Sequence, residues 1–376
     1  MSITAQNISS DSRLVSLVRW LETLHGFSLD TETVRPASSD ASFRRYFRVN
    51  AGNASYIVMD APPEKENIEP FIRVATVFEK SGVSVPRILG KNHEEGFLLL
   101  SDLGTTTYLD SLDESNAGSM YMDAIDALLS IQSISRPHVL PEYDRATLKR
   151  ELDLFPEWYI ARHRNFSMTP ENQAELEKVF NLILANNLSQ PQVFVHRDYH
   201  SRNLMVMDGQ ERNNPGILDF QDALYGPVTY DLVSLLKDAY IEWDEERVLD
   251  WVIRYWEKAK KTGLPVNPDI DQFYRDFEFM GIQRHLKVLG IFARLYHRDG
   301  KTAYLKDLPL VMEYASKTAH RYVELAPLAR LLDELQDKKQ PGCNHLKIIF
   351  HAFFPHILVC KVTDFPASAH CGIGNG

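Results

Sequence analysis

Val193-Phe194-Val195-His196-Arg197-Asp198-Tyr199-His200-Ser201-Arg202-Asn203-Leu204, followed by Gly216-Ile217-Leu218-Asp219-Phe220-Gln221-Asp222, is the stretch that decides the fold. Apolar runs alternate in it with polar turns. Residues 193–195 predict a short strand, 204–207 a second and 217–218 a third. Residues 208–215 are rich in Asp, Gly, Asn and Pro, the composition of a hairpin connection. Asp198, Asn203 and Asp219 therefore all fall where strands end.

That placement suits phosphoryl transfer from a nucleotide. Such a reaction needs Mg²⁺ held by hard oxygen ligands and a carboxylate beside the attacking hydroxyl. Asp198 and Asn203 are separated by four residues, and Asp219 is followed by Phe220. This is the H-R-D-x-x-x-x-N plus D-F arrangement, with both halves in order. Ordinary turn residues have no reason to carry all of its parts. Asp198 is the expected catalytic base, and Asn203 and Asp219 the expected Mg²⁺ ligands. His196 is expected to hold the loop through a backbone carbonyl. Arg197 is expected to pair with a nearby carboxylate, for which Asp231 is the candidate. Asp231 itself reads as structural, tying a helix start to the catalytic loop.

On the N-terminal side, Ser10 or Asp11 can cap a helix carrying Leu14, Leu17, Val18, Leu21 and Leu24. Strands are expected at 31–35, 43–49 and 56–61, with a small-residue turn at 36–42. Backbone N–H groups around Ser39, Asp40 and Ser42 can approach phosphates closely there, although the turn has no glycine. Residues 54–61 contain no Lys or Arg, and Asp60 is acidic. A cation from elsewhere must then offset nucleotide charge, and Arg44 or Arg45 is the expected one. A helix over 66–80 and strands at 85–89 and 97–100 follow. Ser101, Asp102 and Leu103, with Gly104, read as a hinge whose backbone faces an adenine edge.

Beyond the hinge the pattern turns helical, at 120–134, 144–162, 230–241, 244–260, 268–294 and 308–326. A small β-rich lobe followed by a large helical lobe is an α+β, protein-kinase-like bilobal architecture. The expected divisions are an N-terminal nucleotide-covering lobe at 1–101, a hinge at 102–104 and a catalytic and substrate lobe at 105–336. Residues 337–376 read as an atypical tail, disordered or non-native. All three cysteines, Cys343, Cys360 and Cys371, lie in that tail, so the body relies on no disulfide. Its histidines, His345, His351, His356 and His370, match no closed zinc spacing. A formal net charge of −10 offers no basic footprint for nucleic acid. Neither a secretory signal nor an apolar run of membrane-spanning length is present, so the expected location is the cytoplasm and no membrane partner is expected. No obligate protein partner is inferred.

The block 196–203, with 217–222 and Gly226-Pro227-Val228-Thr229-Tyr230-Asp231-Leu232, resembles the aminoglycoside phosphotransferase and choline kinase superfamily over about residues 10–336. A closer resemblance is carried by Ser39-Asp40-Ala41-Ser42-Phe43-Arg44-Arg45-Tyr46-Phe47, Val58-Met59-Asp60-Ala61-Pro62-Pro63 and Leu99-Leu100-Ser101-Asp102-Leu103-Gly104. Phe155-Pro156-Glu157-Trp158-Tyr159 and Gln283-Arg284-His285-Leu286-Lys287-Val288-Leu289-Gly290 add to it. Together these look like the anomeric N-acetylmuramate/N-acetylglucosamine kinase family of bacterial cell-wall recycling. The resemblance implies ATP and Mg²⁺, an amino sugar as the small-molecule partner, and a sugar 1-phosphate as product. For such a substrate, Trp158 and Tyr159 are placed to stack on a sugar face and Gln221 and Asp222 to meet its hydroxyls. Arg284 and Lys287 lie one helical turn apart, where either suits the lactyl carboxylate of N-acetylmuramate. The short run from Asp219 to Tyr230 leaves no peptide-supporting activation segment, which favours a small acceptor. A kinase for choline, an aminoglycoside or a fructosamine stays open, as does a nucleotide-binding regulatory pseudokinase, for which the missing strand-three lysine argues.

Overall fold

The computed structural model describes residues 11–38, 43–207 and 214–336. The chain begins with α1 (Ser12–Glu22), whose N-cap Asp11 accepts from the backbone N–H groups of Arg13 and Leu14, both at 3.1 Å. Next come β1 (Asp30–Ser38), β2 (Arg45–Ala51), β3 (Ala54–Asp60), α2 (Glu69–Glu79), β4 (Ile88–Asn92) and β5 (Phe97–Ser101). The strands form one antiparallel sheet in the order β1-β2-β3-β5-β4.

Strand alternation decides what each face buries. Phe47, Val49, Val58, Phe97 and Leu99 pack against Leu14, Leu17 and Leu21 of α1. Burying each of those leucines contributes about 1.5–3 kcal/mol. Met59, Leu98 and Leu100 face the other way, toward Phe71, Val74, Ala75 and Phe78 of α2. The sheet is thus held between two helices, one per face. β1 runs on through Pro36, where the sequence predicts a turn. It is an edge strand, and its register with β2 shifts next to the proline, so the missing N–H costs little.

The second lobe contains α3 (Tyr108–Ser111), α4 (Ala117–Ser133), α5 (Arg145–Leu154) and α6 (Pro170–Ser189). Two small hairpin-like pairs carry the central stretch: β6 (Gln192–Val195) pairs with β9 (Leu224–Pro227), and β7 (Leu204–Met205) with β8 (Gly216–Ile217). Helices α7 (Tyr230–Leu236), α8 (Glu245–Lys261), α9 (Ile270–Asp299), α10 (Leu308–Arg321) and α11 (Ala326–Leu335) complete it. The 30-residue α9 is the axis of the lobe, packing on α5, α6, α7 and α10.

The helix expected over 144–162 is in fact α5 followed by a π-helical segment, Phe155–His163. Pro156 removes one N–H and crowds the carbonyl of the preceding turn, so the helix widens instead of continuing. Gly290 of α9 lies against that junction. A Cβ there would fall 2.5 Å from both the carbonyl carbon and the oxygen of Leu154. The sequence did not mark α6, and the run predicted over 308–326 ends at Arg321, with α11 following. Among the described residues no helix is long and apolar enough to cross a membrane.

Candidate active site

Asp198, Asn203 and Asp219 meet at one cavity of about 610 Å³ between the two lobes. One end is formed by Tyr46, Arg48 and Ile57 of the sheet and by 101–104 of the hinge; the other by His200, Arg202, Tyr230, Tyr240, Arg284 and Lys287.

The turns after β6 and β8 hold the three oxygen-bearing side chains. Nδ2 of Asn203 donates to the Asp198 carbonyl at 2.9 Å and to Oδ2 of Asp219 at 3.4 Å. The amide thereby closes the loop on itself and keeps Oδ1 as its remaining acceptor. Gln221 Nε2 donates to the other Asp219 oxygen at 2.7 Å. Asp219 has φ +63°, a left-handed backbone that turns its carboxylate back toward the loop.

His196 is fully buried, and burial pushes it down to about 4, so it is neutral at ordinary pH. Nε2 lies 2.9 Å from the carbonyl of Leu218, and the Asp198 N–H reaches Nδ1 at 3.3 Å. One ring therefore ties the strand carrying Asp219 to the loop carrying Asp198. From the far side, Asp231 at the start of α7 accepts from the backbone N–H groups of His196 at 2.6 Å and Arg197 at 2.9 Å. Burial pushes Asp231 up to about 7, against the pull of those two donors.

The Arg197 guanidinium does not pair with Asp231, as the sequence suggested. With φ +79° its side chain turns to Glu151 of α5, at 2.5 Å. Asp231 has both oxygens committed to backbone N–H groups. Glu151, 7% exposed, also takes Lys287 at 3.1 Å and the hydroxyl of Tyr143. For Asp198, burial raises the pKa, but Lys287, His200, Arg284 and Arg197 outweigh it and leave the carboxyl below its ordinary value. Phe220 packs on Phe71 at 4.8 Å and Phe78 at 5.9 Å between ring centroids, docking α2 on the loop.

At the hinge end, 101–104 lines the cavity. The Asp102 carboxylate faces Arg48, at 2.6 Å, and Ser55, at 2.7 Å. Arg45 is turned away: it grips Asp60 at 2.5 Å and also Asp11, on the α1 face of the sheet. Arg13 joins the same Asp60 at 2.5 Å. Arg44 has the phase of Tyr46 and Arg48, pairs with Glu66 at 3.2 Å and feels the charge of Asp222. Ser39, Asp40 and Ser42 lie outside the described residues, as does all of 337–376.

Trp158 and Tyr159 do not line the cavity; they are buried in the core, with Tyr159 stacked on Phe155 at 5.6 Å. Gln221 serves Asp219 instead of lining the cavity, and the Asp222 side chain is exposed outside it. Four contributors escaped the sequence reading. Arg48 was readable from the alternation that brings Tyr46 to the cavity. Glu151 was readable as a charge within the apolar stripe Leu148, Leu152, Phe155. His200 and Arg202 are marked only by lying inside the loop.

The family model of the phosphotransferase enzyme family matches residues 33–265, and the chain belongs to that family. Within it, the chain is 48% identical over 336 residues to N-acetylmuramate/N-acetylglucosamine kinase of Pseudomonas aeruginosa, covering 87% of this chain and 98% of that protein. The kinase of the same name from Neisseria meningitidis serogroup B is 48% identical over 331 residues, covering 86% and 96%. The fold, a protein-kinase-like bilobal one, is shared with Plasmodium vivax ethanolamine kinase at a TM-score of 0.58 and 12% identity, over 88% of this chain and 91% of that one.

Proposed function

We propose that this chain transfers the γ-phosphoryl group of ATP to the anomeric hydroxyl of N-acetylmuramate or N-acetylglucosamine, giving the sugar 1-phosphate. In peptidoglycan recycling such a product is ready for a nucleotidyltransferase. The observation that carries this is the convergence of Asp198, Asn203 and Asp219 on one interlobe cavity, in a chain nearly half identical to kinases of that name.

Asp198 orients the sugar hydroxyl and takes its proton. The surrounding cations keep it ionised, so it is a base at neutral pH. His196 and Asp231 fix its position, which matters because positioning supplies much of the rate in this chemistry. The oxygens of Asn203 and Asp219 fit Mg²⁺, which prefers one or two carboxylates plus phosphate oxygens to an all-protein cage. When bound, the ion neutralises charge on the phosphates. Hinge backbone at 101–103 faces the adenine. Arg48 braces the sheet on that hinge by donating to Asp102 and, at 2.8 Å, to the carbonyl of Gly104. Arg202, Arg284 and Lys287 make the acceptor end cationic, which disfavours choline or an aminoglycoside.

The test is incubation with ATP-Mg²⁺ and a panel of amino sugars, choline and aminoglycosides, with phosphorus NMR of the products. An anomeric phosphate is expected only with the amino sugars. Asp198→Asn should lower kcat about 10²–10⁴-fold while nucleotide binding persists. A phosphorylated choline or aminoglycoside instead, or a wild-type rate in the variant, refutes the assignment.

A further inference from the structure

We infer that Arg284 forms a carboxylate subsite at the acceptor end of the cavity, which makes the acidic sugar the preferred acceptor over its neutral counterpart. This rests on the amino-sugar kinase function just proposed and says which of the two sugars the site is built for.

Arg284 projects from α9 into the cavity and is only 4% exposed. Its Nε and Nη1 are buried and have no hydrogen-bond partner among the described residues. A guanidinium cannot relieve burial by giving up its proton. A buried charge with unused donors is costly unless an anion meets it.

Each neighbouring cation has a partner for its charge, although Nε of Arg197, which does not line the cavity, makes no hydrogen bond. Lys287 holds Glu151 at 3.1 Å and the Tyr230 hydroxyl at 2.8 Å. Arg197 holds Glu151 at 2.5 Å. Arg202 lies over the Tyr240 ring, 4.7 Å from its centroid. Asp198 feels the Arg284 charge, yet the two make no hydrogen bond. Among the arginines and lysines lining that end of the cavity, the buried donors without a partner therefore belong to Arg284, not to Lys287.

N-acetylmuramate is N-acetylglucosamine carrying a lactyl ether with one carboxylate. A planar fork of N–H donors suits that group and gives nothing comparable to the neutral sugar. Arg284 lines the same cavity as Asp198, near enough for Asp198 to feel its charge, so an acceptor held at Asp198 is within its reach.

The experiment measures kcat/KM for both sugars with wild type, Arg284→Gln and Arg284→Lys. The quantity read is the ratio of acidic to neutral sugar, which is independent of how much of each preparation is folded. Arg284→Gln should lower that ratio about 10- to 100-fold, mainly through KM for the acidic sugar. Arg284→Lys should recover part of it, since the charge returns without the fork. An unchanged ratio in an active Arg284→Gln enzyme overturns the subsite alone. So does an equal loss with both sugars accompanied by a higher KM for ATP, because Arg284 then serves the transferring phosphoryl group. A wild-type enzyme that phosphorylates neither sugar overturns the amino-sugar assignment and the subsite with it.

Discussion

Replacing Glu151 with glutamine removes one negative charge from between a buried lysine and a half-buried arginine and changes almost no volume. The carboxylate is 8% exposed, Lys287 9% and Arg197 22%. Removing the anion from such a group costs about 3–5 kcal/mol. A glutamine still offers one acceptor oxygen, which places Glu151→Gln near 3 kcal/mol, a large part of the roughly 5–15 kcal/mol that holds a fold together. Urea unfolding at pH 7 measures this directly. The double variant Glu151→Gln/Lys287→Met should regain about 1 kcal/mol or more, because one orphaned charge is gone. The pH dependence has a definite sign. Burial raises the Glu151 pKa, but Lys287, Arg197 and Tyr143 outweigh it, so the folded value lies below the ordinary 4.5. Its contribution is full above 4.5 and is lost as pH falls through the folded value. The gap between wild type and variant should therefore close in acid. A cost under about 1 kcal/mol, or simple additivity in the double variant, refutes the hub assigned to Glu151.

Gly290→Ala should lose about 3 kcal/mol in thermal or urea unfolding, since its Cβ would fall 2.5 Å from Leu154 backbone atoms that cannot step aside; an unchanged midpoint contradicts the close approach of α9 to the α5 junction. His196 and Asp231 bias the stability–pH profile in opposite directions. The first, held down to about 4, costs stability as pH falls from 6.5; the second, held up to about 7, restores it over nearly the same span. With Asp231→Asn as the background, the variant keeping His196 should lose about 3 kcal/mol more between pH 6.5 and 4 than one also carrying His196→Gln, and an equal loss in the two shows that His196 is not held neutral. Arg48→Met should raise the KM for ATP several-fold while leaving the acceptor KM near its wild-type value, because its partners lie in the hinge; equal effects on both KM values rule out a nucleotide-end role.

The parts of this molecule that were legible in its sequence are those fixed by local rules. Asp198, Asn203 and Asp219 were found because strand ends and spacing put them on one edge, and the hinge because a continuous apolar strand stops at Ser101. The two-faced sheet follows from alternation alone: Leu98 and Leu100 go one way, Phe97 and Leu99 the other. Long-range pairing was not legible. Arg197 and Glu151 are 46 residues apart, and nothing local says which carboxylate meets which guanidinium. Trp158 and Tyr159 show the same limit. An aromatic in a helical run can meet a sugar or the core, nothing local says which, and in the fold both are buried.

The absent strand-three lysine was legible as a gap, and alternation sorts its two candidate replacements. Arg45 pairs in register with Asp60 and shares the face of Phe47 and Val49, so it belongs to the α1 side. It joins Arg13 in matching Asp60, a carboxylate with no exposure, and pairs with Asp11 as well. Asp60 therefore accounts for Arg45 as a clamp between α1 and the sheet and not as a phosphate contact. Arg44, one residue earlier, has the opposite phase, together with Tyr46 and Arg48. It feels the charge of Asp222, three residues past Asp219, and Glu66 holds it at 3.2 Å from the segment leading into α2. Arg44 lies just ahead of strand two, is paired with an acid before the helix that docks on Phe220, and is not among the residues lining the cavity. The case for catalysis therefore rests on Asp198, Asn203 and Asp219 at the cavity and not on a strand-two substitute for the lysine.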